Sequence, residues 1–173
     1  MTVEENQDLP AGIVLPQPAD LTEREKEDAM GAYLMMFAAW GAGFPLPGVG
    51  LIASIIYYYI NKKASNFAAY HSYQALLTHI PISIVNASAV IWGVMLFMEH
   101  SHVYLRHYAA FGVFAAIWNV LYMVFSIMAC IRARKGRFFY FWVFGRLAFV
   151  KYYLPPRVSR SVRDERNLPP EGL

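Results

Sequence analysis

The sequence predicts an all-α integral membrane protein, a four-helix bundle followed by an aromatic helix lying in the membrane interface. Three observations carry this reading. Hydrophobic residues make up 57% of the 173 and charged residues only 16%, against roughly 45–50% and about 25% in soluble domains. Charge is segregated: residues 1–29 hold eight acids and two bases, whereas 132–173 hold ten bases and three acids. Between 64 and 98 there is no Lys, Arg, Asp or Glu. A water-soluble domain of this length has too little interior to hide that much apolar surface. The composition therefore excludes a disordered chain, a nucleic-acid module and an ordinary soluble enzyme. The sequence pI of about 9.0 reflects one C-terminal basic block beside an apolar segment, which reads as topology and anionic headgroup contact.

Residues 1–20 contain Pro10, Pro16 and Pro18 with few large apolar side chains and read as an extended tail. No cleavable signal peptide is expected, because the first apolar run follows acids rather than a positive segment. Asp20 or Thr22 can cap a helix whose acidic first turn suits the positive end of the helix dipole. From 29 to 60 the chain carries no charge for 32 residues, too long for one ordinary span of about 20. Phe44-Pro45-Leu46-Pro47-Gly48 interrupts it, and two prolines followed by glycine stop a helix. Two readings stay open: a hairpin of two short spans, at 22–43 and 48–60, or one crossing with a broken middle. The hairpin is preferred, since broken helices in lipid need protein cover that a small chain lacks.

Asn61-Lys62-Lys63 marks a membrane boundary, and 64–73 reads as a short interfacial stretch. Full spans are expected at 75–98 and 108–131, joined by the polar turn 99–107. Four bases stand within Arg132-Ala133-Arg134-Lys135-Gly136-Arg137, while the 99–107 turn has only Arg106. Base counts in short loops place the basic side in the cytoplasm and 99–107 outside. The membrane domain thus covers 21–137. In 138–153 nine of sixteen residues are aromatic, with Arg146 and Lys151 interrupting. A span with Arg at its centre is costly, so 138–154 is expected as a helix in the cytoplasmic interface. Residues 155–173 form a basic tail.

Candidate chemistry is sparse. The single cysteine, Cys130, permits no intrachain disulfide and reads as a packing residue. His100, His102 and His107 crowd one turn with Glu99, yet a polar turn between spans is required there anyway, so no metal site is assigned. His71 and His79 lie eight apart, and His79 falls inside a span two residues before Pro81. An intramembrane histidine is a candidate haem or pigment ligand; the preferred alternative is an interhelical hydrogen bond near Gln74 and Thr78. Asn86 and Asn119 sit near the midpoints of two antiparallel spans and are expected to pair. Ser83, Ser88 and Ser126 complete the only polar side chains that could line a path with them. Small residues recur four apart at Ser83/Ala87, Ala89/Gly93 and Gly112/Ala116, spacing that lets helices approach in lipid. There is no Gly-rich phosphate loop, Ser/His/Asp set or CxxC, and no catalytic residue or cofactor is assigned.

Two stretches carry a family resemblance. Asn61-Lys62-Lys63 through Phe67-Ala68-Ala69-Tyr70-His71-Ser72-Tyr73-Gln74-Ala75-Leu76 resembles an element of a family of small bacterial membrane proteins of unknown function. Ile127-Met128-Ala129-Cys130-Ile131-Arg132-Ala133-Arg134-Lys135-Gly136, with Phe139-Tyr140 and Gly145-Arg146, resembles that family's ending, departing at Phe141-Trp142 where proline is usual. The family is related in turn to the twenty-kilodalton membrane subunit of the chloroplast inner-envelope translocon. The resemblance spans roughly 22–150 and implies four membrane helices with both ends on one side. The expected function is a non-catalytic accessory or assembly subunit of a larger membrane complex, with other membrane subunits and anionic lipids as partners and no nucleic acid. The alternatives are a translocation or transport component and a haem or pigment subunit using His79.

Overall fold

The structure, a computed structural model, describes residues 15–37, 48–99 and 105–154. The expected tails at 1–20 and 155–173 fall largely outside these residues, as do the tip of the expected hairpin and His100 and His102. The described residues form five α-helices, α1 (Glu23–Leu34), α2 (Val49–Asn61), α3 (Asn66–Glu99), α4 (Leu105–Arg134) and α5 (Phe144–Tyr153). A single 3₁₀ turn, Met35–Phe37, extends α1. The described residues contain no strand.

Of the two candidate caps, Thr22 starts α1. Its hydroxyl accepts from the Glu25 amide at 3.2 Å and its own amide donates to the Glu25 carboxylate at 2.8 Å, a reciprocal capping box. Asp20 instead closes a turn with the Gln17 amide at 2.9 Å. Gly48 precedes α2 at φ 101°, a conformation that glycine alone adopts without strain.

The stretch 64–73, expected in the interface, is instead the turn into α3 and its first two turns. Ser65 accepts from the Ala68 amide at 3.1 Å, so the helix is capped nine residues before the expected start at 75. Phe67, Ala68, Ala69, Tyr70 and His71 are among the most buried residues in the molecule. Their alternation of aromatic and small residues suits a helix enclosed on all sides as well as it suits an interface.

A second correction concerns 138–154. Only Phe144–Tyr153 is helical. Gly136 ends α4 at φ 69°, its amide bonding to the Ala133 carbonyl at 2.9 Å and the Arg137 amide to the Arg132 carbonyl at 2.9 Å. This is a Schellman cap. The chain then runs irregularly through Phe138–Phe141, of which Phe138, Phe139 and Phe141 pack into the core before α5 begins. Phe138 meets the Phe67 ring edge-on at 5.3 Å.

Among the described residues, α3 and α4 alone are long and apolar enough to cross a membrane. α1 and α2 have 12 and 13 residues, about 18–20 Å each at 1.5 Å per residue, against a hydrocarbon core of about 30 Å. Both pack beside the first half of α3. Every buried residue of α3 lies between Phe67 and Ile82, where α1, α2 and α5 cover it. The outer halves of α3 and α4 form a two-helix hairpin whose Ile84, Ile91, Phe97, Val113 and Ile117 are exposed. The protein is a compact head at the Arg134 end, from which a hairpin projects.

The outer hairpin is pinned by the expected asparagine pair. Asn86 Nδ2 donates to Asn119 Oδ1 at 3.1 Å, and Asn119 Nδ2 donates back to Asn86 Oδ1 at 2.7 Å. Asn119 also donates to the Ala115 carbonyl at 2.8 Å. Near it, Gly93 makes room for Tyr108: a Cβ there would lie 2.7 Å from the Tyr108 hydroxyl. A double-mutant cycle with Asn86→Leu and Asn119→Leu should give a coupling of about 0.6 kcal/mol, below roughly 2, read by unfolding in mixed micelles. Additive losses would show that the pair does not hold the hairpin in register.

Candidate functional site

The head contains a buried polar seam built from the element Tyr70-His71-Ser72-Tyr73-Gln74. Helical spacing puts Tyr70 and Gln74 one turn apart, and Tyr70 donates to Gln74 Oε1 at 2.9 Å and to the Phe139 carbonyl at 3.0 Å. Gln74 Nε2 donates to the Tyr33 hydroxyl at 2.8 Å. The Tyr33 hydroxyl hydrogen-bonds His71 Nδ1 at 2.8 Å, which leaves His71 Nε2 on the far side of the ring. That nitrogen is buried and meets no hydrogen-bond partner among the described residues. Phe67 and Tyr70 stand edge-on to the imidazole, with centroids at 4.5 and 4.9 Å. The seam joins α1, α3 and the 138–141 segment through directional bonds. An unmade partner at such a site costs about 1–3 kcal/mol.

His79 forms a second node. It is 8% exposed, and Nδ1 lies 3.3 Å from the Ser54 hydroxyl and 3.2 Å from the Tyr122 hydroxyl. It thus bridges α2, α3 and α4 by hydrogen bonds across helices. Its Nε2 faces Gly50, where an added Cβ would sit 2.7 Å away. The ring occupies the space that Gly50 leaves.

The five side chains considered for a polar path do not face one lumen. Asn86 and Asn119 close on each other, Ser126 is buried and Ser88 is exposed. His107 is exposed in the first turn of α4. Among the described residues there is no group of three His, Cys, Asp or Glu side chains placed to hold a metal ion. Cys130 is half-buried and packs against the apolar core.

Two features of the head were not legible in the sequence. Lys151 of α5 points into a tyrosine cage, 3.6 Å from the Tyr73 ring centroid, and donates to the Tyr58 hydroxyl at 2.8 Å. Tyr152 also donates to Tyr58 at 2.8 Å. This cation–π clamp ties α5 to α2 and α3; the tyrosine richness was the only available signal. The second is the meeting of the two charge blocks. Arg134, at the end of α4, pairs with Glu23 and, at 3.5 Å, with Glu27 of α1. The acidic first turns of α1 therefore meet the basic end of α4.

Lys26 first and then Arg134 hold the Glu23 carboxyl below its ordinary value of 4.5. Because the folded pKa is depressed, the stabilisation is present above about 4.5 and is lost as pH falls through the lower folded value. Comparing melting temperatures from pH 7 to 3 for the wild type and Glu23→Gln should show a small difference that closes in acid and in high salt. A difference that widens in acid would contradict the pairing.

The sequence profile of the magnetosome magnetite crystal formation protein family matches residues 25–148, from the first turn of α1 into α5. The chain belongs to this family. No curated protein and no solved structure matches it. The small bacterial membrane-protein family recognised in the sequence is thus the magnetosome family, and the link to the chloroplast translocon subunit finds no support. The matched region contains the whole tyrosine–histidine–glutamine seam, the His79 node and the asparagine pair. In this magnetosome-family chain the head side chains bond chiefly to one another, an arrangement suited to holding helices in fixed positions.

Proposed function

We propose that this chain is a non-catalytic accessory subunit of the magnetosome membrane that supports magnetite crystal formation by holding partner subunits in place. The family match over residues 25–148 carries this reading. The fold supports it: α3 and α4 are long enough to anchor the chain, and the head binds α1, α2 and α5 to the basic end of that anchor. In our reading the hairpin crosses the bilayer once in each direction. The 99–107 turn then lies away from the cytoplasm, and the head and the 155–173 tail lie on the cytoplasmic side. α1 and α2 enter the membrane from that side and return to it. Exposed Ile52, Ile56 and Ile60 on α2 fit contact with lipid or with a neighbouring subunit.

The test is deletion of the gene in a magnetite-forming bacterium, followed by electron microscopy of the crystals and native-mass analysis of the tagged protein. The expected result is altered crystals and migration of the tagged chain in a larger membrane complex. Unchanged crystals, or a protein that migrates alone, would overturn the proposal. For orientation, Arg160→Cys in a Cys130→Ser background should resist an impermeant thiol reagent in intact cells.

A further inference from the structure

A groove of about 430 Å³ runs between α3 and α4 beneath the segment that leads into α5. Thr78 and Pro81 form one wall, Trp118 and Phe125 the other, and Trp142 and Phe144 the rim. Its volume lies within the range of small-molecule sites, about 300–1,000 Å³, and its surface is almost wholly apolar. Thr78 lies twelve residues beyond the start of α3, about 18 Å along the helix from the head's charged end. On the placement proposed above the groove opens at hydrocarbon depth, and the segment that supplies its rim belongs to a basic collar, residues 132–151.

The collar selects the occupant. Residues 132–151 contain six bases and no acid. Arg134 is held by Glu23 and Glu27, Lys151 by the tyrosine cage, and Arg132 stacks over the Phe139 ring. Lys135, Arg137 and Arg146 are exposed and pair with no acid among the described residues. Trp142 stands at the rim, 97% exposed, as tryptophans do at the headgroup boundary. We propose that the groove holds one acyl chain of an anionic phospholipid whose headgroup rests on Arg137 and Arg146. A chain of this shape matches the apolar cleft, and an anionic headgroup answers the uncompensated cations that flank its rim residues in the chain. This rests on the membrane placement proposed above.

Trp118 and Trp142 line the groove and report its occupant. The full-length protein is reconstituted in phosphatidylcholine vesicles, and phosphatidylglycerol with brominated acyl chains is added in steps. Tryptophan fluorescence should show a saturable quenching component at low mole fraction, absent with brominated phosphatidylcholine, which quenches only linearly. Arg137→Gln with Arg146→Gln should weaken that component by about tenfold or more, and Thr78→Phe should abolish it by filling the cleft. Equal, linear quenching by both lipids overturns the groove proposal while leaving the membrane placement intact. No quenching by either lipid overturns both. If Thr78→Phe fails to reconstitute, the comparison of the two lipids on the wild-type chain decides.

Discussion

Phe67→Ala is expected to destabilise the protein by about 3–5 kcal/mol, the range for truncating a fully buried aromatic. Phe67 is 1% exposed and packs edge-on against His71 and Phe138, at 4.5 and 5.3 Å between centroids. It stands where the start of α3 meets the irregular segment after α4. Its removal opens a cavity beside His71, whose Nε2 already lacks a partner. A domain of this kind has a net stability of only about 5–15 kcal/mol, so the variant should lose a large share of it. Urea unfolding of the purified protein in mild detergent, followed by circular dichroism, measures the loss; Phe67→Leu should cost less than half as much. A loss below about 1 kcal/mol would mean that the head is not packed around α3 as described.

The second large effect is expected at Gly145. A Cβ there would lie 2.9 Å from the Tyr140 Cα, 3.1 Å from its Cβ and 2.8 Å from Gln74 Oε1. Two of those atoms belong to the rigid approach of the 138–141 segment to α5, and the third is the acceptor in the buried seam. None is the free end of a flexible side chain. Gly145→Ala should therefore push α5 off α3 and cost about 3 kcal/mol, the upper part of the range for overpacking. Loss of the Lys151 clamp follows, because Lys151 reaches Tyr58 and Tyr73 only from a docked α5. Thermal unfolding of the variant and of Lys151→Met separates the two contributions: the glycine variant should fall well below the lysine variant. Equal melting temperatures would show that α5 is held by the lysine alone.

The two long helices were legible in the sequence because a continuous uncharged run in a chain this apolar has one stable form. The pairing of Asn86 with Asn119 was legible for a similar reason: a short turn forces α3 and α4 antiparallel, and equal length brings their midpoints together. The head was not. The stretch 64–73 contains small, aromatic and polar residues in a mixture that an interfacial segment shares with an enclosed helix. Only the packing of α1, α2 and α5 around it distinguishes the two. The segment 138–141 was missed because its aromatic character is continuous with that of α5; the left-handed Gly136 redirects the chain into the core before the helix can start.

Composition and charge by themselves determined that the chain is helical, apolar and sided, with α3 and α4 as its long elements and a basic end to α4. These properties depend on local hydropathy and on charge counts, which every residue carries with it. The tertiary structure alone decided that α1 and α2 pack beside the first half of α3. It also decided that Glu23 and Glu27 meet Arg134, and that His79 faces Gly50. Those outcomes depend on contacts between residues distant in the chain, such as Tyr33 with His71 and Tyr58 with Lys151. Such contacts are set by which faces come together when the helices pack, and a linear pattern of residue types leaves that choice open.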